Sequence, residues 1–179
     1  QCSNFYYLTG YNLPNATLFI VKENNKLISH FFTKKPNKHD EIWTGKLDNS
    51  IKVCKTLSMD KCNYIDNINM YLDAYLKNCL IIYHSLDKSS DLKQLIEDKT
   101  ETLQKKYRKG VEYPSKIISL NKILHKIRLI KSSDEISQIK KACDISVRAH
   151  KVLMKKCRPG LNERYLEACL IHEFRKSNA

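Results

Sequence analysis

FYYLTGYNLPNATLFIVKENNKLISHFFT, residues 5–33, is the stretch on which the fold class turns. Residues 5–9 and 16–22 are runs of aromatic and β-branched side chains. Gly10, Asn12, Pro14 and Asn15 lie between them and are chain-reversing residue types, so the pattern predicts two strands joined by a turn. A third run, 27–33, follows the polar turn Glu23-Asn24-Asn25-Lys26 and predicts a third strand, giving an antiparallel meander. Alternation along the runs is imperfect, which predicts partial burial of both sheet faces under helices supplied from downstream.

Residues 64–77 place Ile65, Ile68, Leu72 and Leu76 at helical spacing, with Asp66 or Asn67 as the opening residue. Cys79-Leu80-Ile81-Ile82-Tyr83 is a short continuous apolar run, the pattern of a buried strand. Residues 89–108 carry Leu92, Leu95, Ile96, Leu103 and Tyr107 on one face of a further helix that stops at Gly110. The order strand, strand, strand, helix, strand, helix describes an α/β domain, a mixed sheet flanked by helices. After Gly110 and Pro114 the periodicity becomes helical without interruption. The expected organisation is therefore a first domain over 1–114, a linking helical segment over 115–132, and the first helices of another domain over 133–179. Ser132 and Glu135 stand at capping-box spacing, and Asp134 with Glu135 suits the positive end of a helix dipole. Ile136, Ile139, Cys143, Ser146, His150, Leu153 and Cys157 trace one stripe of that long helix. Arg158-Pro159-Gly160 stops it, and Asn162 opens a second helix carrying Leu166, Cys169, Leu170 and Phe174.

The 179 residues are 42% hydrophobic and 28% charged, with four Gly and four Pro, the profile of a globular chain long enough for one domain and part of another. A start at Gln1 inside a strand-like run leads us to expect a fragment of a longer protein. The net charge of +13 raises nucleic acid as a partner. The Lys residues, however, spread over the whole chain, and aromatics such as Tyr6, Phe19 and Phe32 lie inside strand-like runs rather than beside a basic patch. Solvated Lys-rich faces are the expectation, not a nucleic-acid surface. No run approaches the ~18 apolar residues of a membrane span, and no signal-peptide pattern opens the chain. The expected location is cytoplasmic, or mitochondrial if a transit peptide preceded Gln1. Seven scattered Cys without metal or redox spacing predict reduced thiols packed as small hydrophobes in a reducing compartment. The sequon Asn15-Ala16-Thr17 is discounted without a secretory signal.

Catalytic motifs are absent: there is no HExxH, no glycine-rich phosphate loop, no nucleophile elbow and no zinc-spaced cysteine pair. His39-Asp40-Glu41 are adjacent in sequence, and adjacent side chains do not converge on one ion. His150 lies on the apolar stripe and reads as a hydrogen-bonded packing residue. His125 has no carboxylate at helical spacing to raise its basicity, and His172 with Glu173 reads as polar surface. The residues thus offer no catalytic group and no metal site.

Read together, four strings carry a resemblance. Asn4-Phe5-Tyr6-Tyr7-Leu8-Thr9-Gly10-Tyr11, with Pro14 and Ala16 after it, resembles the F-x-Y-L-T-G-[FY]-x-x-P-x-A signature of aminopeptidase P amino-terminal domains. Glu41-Ile42-Trp43-Thr44-Gly45 is similar to that family's E-[IL]-W-x-G segment. His125, Arg128, Lys131 and Ser132, with Glu135-Ile136 following, match the H-x-x-R-x-x-K-S-x-x-E-I opening of its catalytic domain. Ala149-His150, Met154 and Cys157-Arg158-Pro159-Gly160 continue the match in order.

The resemblance implies a non-catalytic mixed-sheet domain joined to the beginning of a pita-bread metallopeptidase domain. It implies an Xaa-Pro aminopeptidase, acting on peptides with proline second, whose two divalent ions, commonly manganese, are held by carboxylates and a His beyond residue 179. The family-motif positions are Tyr7, Gly10, Pro14, His125, Arg128, Lys131, Pro159 and Gly160. The resemblance further implies a homo-oligomer in which one subunit's first domain covers a neighbour's active-site mouth, with Trp43 as the candidate for controlling access. Partners are then the peptide and a second copy, without nucleic acid or membrane. Two rival readings share both domains: prolidase, and a non-catalytic histone-chaperone platform, the latter disfavoured by the basic charge.

Overall fold

The computed structural model describes residues 2–85 and 91–179. It divides into two compact units, Gln1–Leu124 and His125–Ala179.

The first unit is built on the hairpin of β1 (Thr17–Glu23) and β2 (Lys26–Thr33), which pair antiparallel from Thr17 opposite Phe32 to Glu23 opposite Lys26. Asn24 and Asn25 form the two-residue turn with φ of 45° and 64°, a conformation that Asn tolerates and that matches the twist of the strands. A third strand, β3 (Lys61–Tyr64), lies parallel to β2, giving the order β1-β2-β3. β4 (Ile81–His84) and β5 (Lys116–Ser119) form a separate parallel pair. A mixed α/β architecture with helices flanking the sheet is what the sequence pattern predicts, and the strands at 16–22 and 27–33 stand within a residue of expectation.

Other expectations need correction. Residues 5–9 are not a strand but part of helix α1 (Ser3–Thr9). Phe5 and Thr9, four apart, share a helix face: Phe5 packs its ring 5.9 Å from that of Phe31, and Thr9 is buried. Gly10, at φ 66°, ends the helix by donating its N–H to the Tyr6 carbonyl at 2.7 Å. The meander therefore lacks its first strand. β3 and β5 were not expected, because four-residue strands show too little periodicity. The same brevity hides α2 (Lys38–Thr44) and α3 (Ser50–Leu57), although Asn37 and Asn49 cap them by accepting from the N–H groups of His39 and Lys52.

The helix expected at 64–77 is shorter: Tyr64 ends β3, residues 65–67 form a 3₁₀ turn, and α4 runs Ile68–Leu76. α5 runs Asp91–Gln104, and the first two residues of the helix expected at 89–108 lie outside the described residues. β4 is not the buried strand expected, since Ile81 and Tyr83 face solvent.

Both faces of β2 are covered, as the imperfect alternation predicts. Phe31 and Thr33 point toward Phe5 and Tyr11; the Tyr11 and Thr33 hydroxyls are 2.9 Å apart. His30 and Phe32 point the opposite way, onto Tyr71 and Tyr75 of α4. Leu72, Leu76 and Ile96 form the core between α4 and α5, with Phe19 and Ile82 packed on it.

The cysteine expectation is also overturned. Cys54 of α3 and Cys62 of β3 are joined as a disulfide, with Cα atoms 5.5 Å apart. Ser58, in the left-handed region at φ 52°, turns the chain back so that the end of α3 meets the edge strand. Cys2, Cys143 and Cys157 are exposed thiols rather than packed ones, and Cys79 and Cys169 are half-buried. The disulfide removes the cysteine argument for a reducing compartment.

α6 (Leu120–Leu129) carries the boundary between the units, and α7 (Ser133–Lys156) and α8 (Glu163–Lys176) form the second. The capping box is present: Ser132 Oγ accepts from Glu135 N–H, and Glu135 Oε2 accepts from Ser132 N–H at 2.8 Å. Asn162 caps α8, as its position suggests. The apolar stripe expected on α7 is largely exposed, including Ile136, Ile139 and Cys143, and the one buried residue of the helix, Ala149, lies outside that stripe. No described helix is long and apolar enough to cross a membrane.

Candidate functional site

Trp43 stands on α2, which begins at the Asn37 cap and is tied at its first turn by an ion pair between Lys34 and Asp40 at 2.6 Å. The Lys34 hydrogen bond, with its charge, holds the Asp40 carboxyl below the usual carboxylate pKa. Gly45, at φ 82°, ends the helix. Trp43 is 83% exposed and its neighbour Ile42 75%, so this short helix presents an apolar surface rather than packing the sheet against a helix. His39, Asp40 and Glu41 do not assemble into a ligand set, since Asp40 is engaged by Lys34.

Most of the motif positions shape the backbone. Gly10 caps α1, and Gly160, at φ 86°, makes the turn between α7 and α8 beside Pro159. Tyr7 and Pro14 are exposed. His125, Arg128 and Lys131 come together with Leu129, Asp134, Glu135, Gln138 and Ile139 around a shallow, open cleft of about 700 Å³ between the end of α6 and the start of α7. Lys131 Nζ donates to the carbonyls of Arg128 and Leu129 at 2.7 and 3.2 Å, satisfying the orphan acceptors at the end of α6. Accepting the Ser132 N–H pulls the Glu135 carboxyl below its ordinary pKa.

A polar cluster that the sequence reading missed lies under β2. His30 is fully buried between Phe32, Tyr71 and Tyr75. Asn63 Nδ2 donates to His30 Nε2 and to Tyr71 Oη, both at 3.0 Å. Nδ1 is thereby the protonated ring nitrogen and donates to Tyr75 Oη at 2.8 Å. Burial, with the Lys61 charge added, lowers the His30 pKa below its ordinary value. The signal available was a lone His within an apolar strand and two Tyr four residues apart on a helix. The cluster is satisfied and closed, which makes it part of the core.

A metal centre does not fit the residues present: among the described residues no group of three or more His, Cys, Asp or Glu could hold an ion.

A small mixed sheet flanked by helices, with an exposed Trp on a short helix, is the architecture that the described residues build. Residues 1–83 match the family model for the Aminopeptidase P, N-terminal domain. The Xaa-Pro aminopeptidase of Escherichia coli K12 is 31% identical over 180 residues, covering all of this chain and 41% of that protein. Among solved structures, the proline aminopeptidase P II of Yersinia pestis superposes with a TM-score of 0.92 at 33% identity, over 100% of this chain and 41% of that one. A zinc-substituted E. coli aminopeptidase P in complex with product superposes with a TM-score of 0.91 at 30% identity, over 98% and 40% of the two chains. The chain carries the aminopeptidase P amino-terminal domain over residues 1–83 and is similar along its whole length to Xaa-Pro aminopeptidases. It spans about two fifths of the length of the curated relatives it matches.

Proposed function

We propose that the full-length protein is a metal-dependent aminopeptidase that removes the first residue from peptides with proline in second position. The single observation carrying this is similarity along the whole chain, in sequence and in backbone, to Xaa-Pro aminopeptidases. Metal dependence is supported by the zinc-substituted relative, and two divalent ions, manganese by expectation, belong to the part of the protein that follows this chain. In this reading the first domain extends over 1–114, 115–132 links it onward through β5, which pairs back onto β4, and α6, and 133–179 opens the metallopeptidase domain. Among the described residues no ligand set assembles, and in this reading the chain contributes assembly and access.

Trp43 is the access residue in this reading. An indole 83% open to solvent offers a large apolar wall with one N–H donor, suited to lining a neighbouring subunit's substrate mouth in a homo-oligomer. Tyr7, Gly10, Pro14, His125, Arg128, Lys131, Pro159 and Gly160 serve the backbone path, a role supported by the carbonyl bonds of Lys131 and the positive φ of both glycines.

The test is a coupled release assay on an Xaa-Pro-Pro peptide with added manganese, run on the full-length protein and on this chain alone. Turnover by the full-length protein and none by the chain is expected. An inactive full-length protein that binds no metal would overturn the peptidase reading, and turnover by the chain alone would overturn its accessory role.

A further inference from the structure

We infer that the Cys54–Cys62 disulfide is a redox-responsive clamp that fixes α3, and with it the α2–α3 segment bearing Ile42 and Trp43, to the edge of the sheet. Three observations combine. First, among the described residues β3 is the edge strand of its sheet and pairs with β2 alone, so the bond anchors a helix to the border of that sheet. Second, the remaining attachment of α3 is slight: Val53 is its one buried residue, and Ile51 is 68% exposed. Third, the sulfurs are reachable. Both cysteines are half-buried and line a shallow open hollow with Ile51, Lys55, Ser58 and Met59.

The hollow suits thiol–disulfide exchange. An attacking thiolate is anionic, and Lys55 at the rim supplies positive charge both for its approach and for the thiolate that leaves. A dithiol reductant gives two electrons and two protons. Its first thiolate displaces one cysteine sulfur to form a mixed disulfide, its second thiolate resolves that bond, and Cys54 and Cys62 each end as S–H. The reduced form has a place prepared for it, because the Met59 carbonyl oxygen lies 3.3 Å from Cys54 Sγ and becomes an acceptor for the new thiol. Reduction therefore gives the new Cys54 thiol an acceptor and changes chiefly the freedom of α3.

The clamp stands on this geometry alone; its consequence for substrate access rests on the Trp43 reading above. Trypsin cuts after Lys55 and Lys61, so in the full-length protein prepared without reductant a digest should contain the peptide ending at Lys55 bonded to the peptide starting at Cys62. Dithiothreitol should separate them with a gain of one hydrogen on each. Amide exchange over residues 50–57 should accelerate on reduction by about tenfold to a hundredfold, the upper end being what closing so short a loop is worth. The double variant C54S/C62S should exchange at the reduced rate and ignore reductant. No linked pair, or exchange over 50–57 indifferent to dithiothreitol in the unsubstituted protein, overturns the clamp. Failure of the Trp43 reading shows separately, as unchanged peptide selectivity in Trp43→Ala with the disulfide intact.

Discussion

β2 and α7 put their apolar side chains to opposite ends. On β2, four consecutive residues from His30 to Thr33 are buried, because helices cover both faces of the strand. On α7, twenty-four residues long with a complete capping box, only Ala149 is buried, and α8 buries nothing. Local signals and tertiary burial are thus separable. Caps and 3.6-residue periodicity suffice to define α7 and α8, whereas the β2 region is defined by what packs on it. The difference teaches where mutations should be felt.

The largest effect should fall on Phe32, which has no exposure and stacks on His30, Phe19 and Tyr71. Phe32→Ala should cost about 3–5 kcal/mol in urea unfolding of this chain. Ile139→Ala on the exposed face of α7 should stay within about 0.5 kcal/mol. Equal costs for the two would break the comparison, since they would mean that the α7 stripe is as well packed as the sheet.

A second effect follows from the polar cluster. The folded-state pKa of His30 is lowered, by burial first and then by Lys61, so the folded chain resists a proton that the unfolded chain accepts. Above an unfolded pKa of about 6.5 the ring is neutral in both states and the cluster contributes fully. As pH falls below about 6.5 toward the lower folded value, stability should decline, because protonated Nε2 would face the Asn63 Nδ2 donor. The Tyr71 and Tyr75 hydroxyls also face the ring, and burial raises the pKa of Tyr75 further from this range. Denaturant midpoints from pH 7.5 to 5 should fall more steeply in the unsubstituted chain than in His30→Gln. Parallel profiles would place the acid sensitivity elsewhere.

Next comes the capping box. Ser132→Ala removes the acceptor for Glu135 N–H, and should cost about 1 kcal/mol of α7 stability, read as faster amide exchange over residues 133–137. Of all the structural elements, α7 was the most legible in the sequence, because Ser132, Glu135 and the Pro159-Gly160 stop are local codes. Asn162 was legible for the same reason. Residues 5–9 were misread because Phe-Tyr-Tyr-Leu-Thr has strand composition, and only the contact of Phe5 with Phe31, twenty-six positions away, decides for helix. The disulfide was invisible for a related reason: nothing in an eight-residue spacing says that α3 and β3 meet. Of the candidate site, the composition of the Trp43 segment was legible, and its exposure was not, since periodicity over a seven-residue helix cannot say which face is covered.

The smallest expected effect on stability sharpens the comparison most, because it separates exposure from location. Trp43 belongs to the same unit as Phe32, yet it is as open to solvent as Met154 on α7. A large aromatic residue in a folded domain is ordinarily worth several kcal/mol, and the reason is the area it removes from water on folding. At 83% exposure little area is removed, so Trp43→Ala should change the unfolding free energy of this chain by less than about 0.5 kcal/mol. Circular dichroism melts and urea titrations of the two proteins should superimpose. A loss of about 2 kcal/mol or more, the cost of emptying a packed site, would show that the indole is buried in solution and would remove it as an access residue. Superimposed curves would instead leave an apolar surface retained at no benefit to the fold of this chain, which is what a residue reserved for a partner's surface requires.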